Sequence, residues 1–128
     1  MKYKTARTTR DVEALAAAKG LRVRYPQPNE LFIDIDSAEA YAQFKRLREV
    51  FERGEPIVGT TIAASPSEAP GHYHAIVTLR RDVLPRERVM LQALLGSDPM
   101  RELLSYRRVI AGSDPEAVSV FFERPVLK

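Results

Sequence analysis

The chain has 128 residues, 45% apolar and 29% charged, with a net charge of +3 from 20 Lys+Arg against 17 Asp+Glu. That is the size of a single domain with one core, and too apolar for an intrinsically disordered chain. The absence of cysteine excludes disulfides and zinc–thiolate centres, and the short apolar runs exclude a membrane-spanning helix.

The basic start, Met1 to Lys4, is followed by no apolar segment of secretory type, so a cytoplasmic location is expected. Thr8 or Thr9 can cap a first helix carrying Val12, Leu15 and Ala16 at helical spacing, with Gly20 as its stop. Leu21 to Tyr25 alternates apolar and basic residues like an edge strand, and Pro26 to Asn29 is a turn. Leu31 to Asp36 reads as a strand. Ser37 then caps a helix whose Ala40, Tyr41, Phe44, Leu47 and Phe51 form one apolar stripe, ended by Gly54.

Strands are expected over Ile57 to Ala64 and His72 to Leu79, around a Pro/Ser loop. Pro85 opens a helix that stops at Gly96, Asp98-Pro99 opens another, and Ala117 to Phe122 is a last strand. The expectation is therefore an α+β fold in one domain, 1–128. A helix and short strand over 1–30 precede a βαββαβ core over 31–124, ferredoxin-like or RNA-recognition-motif-like, with helices on one face.

Three features carry candidate chemistry. Asp34 and Asp36 are two apart on a strand and would project on one face, where a hard divalent cation such as Mg²⁺ or Mn²⁺ would relieve their repulsion. Otherwise Asp36 and Ser37 simply cap the following helix. His72 and His74, the only histidines, share a strand face in the same way and could hold a metal or contact a phosphate. Ser65 and Ser67 in the preceding loop offer hydroxyls to that phosphate, and Arg107 and Arg108 near the end of the later helix could reach it.

Together these residues resemble the archaeo-eukaryotic primase and primase-polymerase superfamily. The likeness rests on a strand ending in Asp34 and Asp36, and a loop with Ser67 and Gly71 leading to Tyr73 and His74. Beyond these come Asp98, Arg107 and Gly112. The resemblance implies a minimal, palm-like nucleotidyltransferase, active or decayed, of the kind a phage or mobile element encodes. Asp34, Asp36 and His74 would be catalytic. Asp34, Asp36 and Asp98 would hold Mg²⁺ or Mn²⁺, and Ser65, Ser67, His72, His74 and Arg107 would bind nucleotide. Its partners would be nucleotide, DNA or RNA, or a larger replication protein. Asp98 departs from the pattern, because it reads as a helix cap.

Two alternatives stay open. His72-Tyr73-His74 also resembles the His-hydrophobic-His signature of rolling-circle initiators and relaxases, in which Tyr106 or Tyr41 would be the nucleophile. A non-catalytic module could instead stack bases on Phe32, Tyr73, Phe121 or Phe122, or only dock to another protein.

Overall fold

The structure, a computed structural model, describes residues 6–66 and 70–125. Helix α1 (Thr9–Ala18) begins at Thr8, whose hydroxyl accepts from the Asp11 amide while the Asp11 carboxylate accepts from the Thr8 amide. The chain continues through β1 (Arg22–Arg24), β2 (Glu30–Ile35), α2 (Ala38–Phe51), β3 (Ile57–Ala64) and β4 (Tyr73–Leu79). Helices α3 (Pro85–Leu94) and α4 (Pro99–Ile110), a 3-10 turn (Pro115–Ala117) and β5 (Phe121–Glu123) complete it. Ser37 caps α2 through the Ala40 amide, and Asp98 caps α4 through the Met100 amide. Gly96, at φ 83°, takes the left-handed turn between α3 and α4 that a side chain would strain.

The strands form an antiparallel three-stranded sheet in the order β2-β4-β3, and a separate antiparallel pair, β1-β5. Alternation along β2 and β4 sends Leu31, Ile33, Ile35, Ala75, Val77 and Leu79 to one face, where they pack on Phe44 of α2, on Leu91 of α3 and on Leu95 at its C-terminal cap. This is the core, and each large side chain fully buried there contributes roughly 1.5–3 kcal/mol. The α+β class is as the sequence implies; α2 and α3 cover one face of the sheet, while α4 lies against the free edge of β2 rather than on that face. Phe32, Asp34 and His74 point to the other face, with Asp34 directly opposite His74 in the register.

The last strand differs from its expected form. Ala117 lies in the 3-10 turn, only Phe121–Glu123 is extended, and this strand pairs with β1 rather than with the main sheet. Where a fourth strand would lie, the free edge of β2 is bonded instead by the α3–α4 segment. The Phe32 amide donates to Gln92 Oε1 (2.8 Å) and the Asp34 amide to Ser97 Oγ (2.9 Å). Arg101 donates to the Phe32 carbonyl (2.9 Å), Arg88 to the Glu30 carbonyl (2.9 Å), and the Asp98 amide to the Asp34 carbonyl (2.9 Å). Buried Glu102 holds this set together by accepting from Gln92, Ser97 and Arg101. Side chains thus satisfy backbone groups that a strand would otherwise have to meet.

Candidate phosphate-binding cleft

Phe121 anchors the sheet face opposite the core. Its ring lies parallel to Phe32 (centroids 4.5 Å apart) and to His74 (3.8 Å), with the Arg101 guanidinium 5.1 Å from its centre. Beside this stack opens a cleft of about 970 Å³. Asp34 and His74 form its floor, Arg101, Ser105 and Arg108 of α4 one wall, and Phe121 and Phe122 of β5 another. The N-terminal segment closes the rim with Arg7 and Lys19, and Ser65 contributes from the end of β3.

Helical spacing explains the α4 wall: positions 101, 105 and 108 fall on one side of the helix. The placement of Arg7 is also built in. Its amide donates to Ser113 Oγ (2.7 Å), its carbonyl accepts from the Asp114 amide (2.9 Å), and the Thr9 amide donates to Asp114 Oδ2 (2.9 Å). These bonds clip the start of the chain onto the loop after α4.

Electrostatics give the cleft its character. Arg7 is pulled down to about 10 by burial and by the repulsion of Arg108, with Asp11 opposing and Arg101 adding to the repulsion. Arg108 is lowered too, by burial and then by Arg101. Among the described residues neither Arg7 nor Arg108 makes an ion pair, whereas Arg101 is matched by Glu102. Two half-buried guanidiniums that repel one another are a standing cost that an anion removes.

His74 falls to about 4, because burial and then the nearby Arg101 penalise its imidazolium form. It is therefore neutral at pH 7, and its Nε2, 3.8 Å from Asp34 Oδ1, makes neither an ion pair nor a hydrogen bond there. Asp34 is raised by burial, with Asp98 and Asp36 adding to the rise and Arg101 and His72 opposing it. The sign for stability follows. The unfolded chain protonates His74 below about pH 6.5 and the folded chain only near 4, so stability present above pH 6.5 is lost as the pH falls between those values. Discounted for partial exposure, the loss is about 1–2 kcal/mol. Asp34 acts in the opposite sense, gaining its proton earlier in the folded state. Urea unfolding at pH 7 and pH 4.5 of the parent and of His74→Gln measures this, and an equal loss in both would refute the assignment to His74.

The structure brings Asp34, His74 and Ser65 together at the cleft. Asp36 lies just past the end of β2 and is exposed, and His72 precedes β4, so neither continues the alternation expected of a strand residue. Asp98 is the α4 cap, as its position before Pro99 suggests. Arg107 is exposed and does not line the cleft, whereas its neighbour Arg108 does. Ser67 lies outside the described residues. Among the described residues no group of three or more His, Asp or Glu side chains is placed to hold a metal ion.

Neither tyrosine proposed as a nucleophile lines the cleft. Tyr41 packs on Tyr73 at 5.1 Å on the core face, across the sheet from His74, and Tyr106 is 44% exposed on the outer side of α4. Of the candidate base-stacking residues, Phe32 and Phe121 are consumed by the internal stack, while Phe122 borders the cleft with Lys19 Nζ 5.5 Å from its ring centre. Sequence reasoning passed over Arg7 and Lys19. Their only signal is that two cations flank a helix whose end leads into a strand, which does not say what they face. Comparison with known protein families, with curated proteins and with solved structures finds no match for this chain. Among the described residues no helix is long and apolar enough to cross a membrane.

Proposed function

We propose that this domain binds the phosphates of a single-stranded nucleic acid in the cleft between the N-terminal segment, α4 and β5. The carrying observation is that Arg7 and Arg108, both half-buried and without an ion-pair partner among the described residues, line the same cleft. Guanidinium groups suit phosphate oxygens through their planar fork. The partly exposed ring of Phe122 gives an adjoining base a surface to stack on, and the net charge of +3 favours approach of a polyanion.

The primase-like reading is the catalytic extension of this proposal. What favours it is that Asp34 and His74 share the cleft with the cations. Asp34 and His74 alone do not define a metal-dependent step, and the reading proposed for the cleft is binding.

Anisotropy of a labelled single-stranded oligonucleotide tests the proposal. The double substitution Arg7→Ala and Arg108→Ala is expected to weaken binding roughly 100-fold, as two charge-assisted hydrogen-bonding groups are removed. It should also reduce the slope of affinity against salt by about 0.7 for each phosphate no longer neutralised. Chelation with EDTA is expected to leave affinity unchanged. A variant that binds as tightly as the parent, with the same salt slope, overturns the proposal. Competition by a nucleoside triphosphate at the same site would identify the mononucleotide as the preferred form of the ligand.

A further inference from the structure

The two edges of the main sheet are treated in opposite ways. The outer edge of β2 is bonded along its length by α3 and α4, as described above. The outer edge of β3 carries no such cover: among the described residues, no backbone group of Ile57–Ala64 bonds to anything beyond β4. The β3 sequence, Ile-Val-Gly-Thr-Thr-Ile-Ala-Ala, also lacks the charges and prolines that keep an edge solitary. It has no lysine, no other charge and no proline over 8 residues, and its single register irregularity lies at the Ile57/Gly59 end. Val58 is 65% and Ile62 38% exposed. Thr60 Oγ1 on this strand is the one buried side-chain polar atom without a partner among the described residues.

The backbone alternation identifies the groups on offer. Phe32 and Asp34 turn their amides and carbonyls to the free edge of β2, so Ile33 and its opposite residue Ala75 bond to each other. On β4, His74 and Ile76 then face β3. On β3 the residues opposite Ala75 and Val77, namely Ile62 and Thr60, present their backbone groups outward.

We propose that β3 pairs antiparallel with β3 of a second copy of this chain, across a two-fold axis normal to the sheet at Thr61. In that register Thr60 of each copy exchanges both backbone hydrogen bonds with Ile62 of the other, and Thr61 faces Thr61. A second copy is the occupant that the chemistry favours for two reasons. Antiparallel pairing of a strand with itself is self-complementary under a two-fold. The neutrality of β3 also lets two chains of net charge +3 meet there without placing like charges opposite each other. The product is one continuous six-stranded antiparallel sheet, twice the three strands of each copy.

The chain has no cysteine, so a single introduced thiol reports the pairing cleanly. Sedimentation of the full chain is expected to give a mass near twice 14.5 kDa at high concentration, and Ile62→Lys to return it to 14.5 kDa. Thr61→Cys is expected to form an intermolecular disulfide under mild oxidation, because directly opposed residues at a non-hydrogen-bonded site bring their Cα atoms to about 4.5 Å. Glu49→Cys, exposed on α2, is expected not to form one. A parent chain that stays at 14.5 kDa at all concentrations overturns the proposal. So does a dimer that neither Ile62→Lys disrupts nor Thr61→Cys traps. Circular dichroism of each variant reports whether it folds, and the Thr61→Cys arm reads the pairing even where Ile62→Lys does not.

Discussion

Replacing Arg101 with methionine is expected to destabilise the fold by about 3–5 kcal/mol, because it strands a buried carboxylate. Glu102 is only 3% exposed, and Arg101 is its sole cationic partner among the described residues. The same guanidinium donates to the Phe32 carbonyl and, at 3.4 Å, to the Val120 carbonyl, so it joins the free edge of β2 to the segment leading into β5. Its loss leaves those acceptors to water that the packed edge does not readily admit. Urea denaturation followed by far-ultraviolet circular dichroism measures the change, and a loss below about 1 kcal/mol would show that the pair is solvated in practice. The double change Arg101→Met with Glu102→Leu is expected to recover a large part of the loss, since it removes the charge and its partner together.

Phe121→Ala is expected to cost a further large amount, about 3–5 kcal/mol, as for other buried aromatic truncations. Phe121 is 4% exposed and stacks on both Phe32 and His74, so its removal opens a cavity over the sheet face opposite the core. The same substitution should lower nucleic-acid affinity at temperatures where the protein remains folded, because β5 then loses its seat and Phe122 with it. Phe121→Leu fills part of the space and should retain more than half of the stability. If alanine and leucine behave alike, the ring stack contributes nothing specific.

Much of the sheet and helix pattern was legible because local chemistry and tertiary demand agree there. Thr8, Ser37, Asp98 and Pro99 mark helix starts by capping, and the α2 stripe through Phe44 marks the face that meets the core. The C-terminal strand was misread in extent because Val118 and Phe121 are buried for tertiary reasons, and burial of that kind looks like strand alternation. The edge cover of β2 could not be read at all. It depends on Gln92, Ser97 and Arg101 reaching a strand some 60 residues earlier, and no local periodicity encodes such a reach. Asp34 and His74 were found because strand register is partly local. Arg7 was not, since its partner in repulsion is on the far side of the sequence.

The clip between Arg7 and the loop at Ser113 and Asp114 has a temporal consequence. The bonds closing the cleft span 105 to 107 residues, and β1 must wait for β5. During synthesis the three-stranded sheet and its two covering helices can form first, while the N-terminal segment has nothing to dock against. The nascent domain is thus a sheet with its covering helices and an unfinished mouth, since the cleft lacks two of its walls until the last strand is in place. The cleft is completed only at the end of folding, and it would be the first feature surrendered when either of the two clipped segments frays.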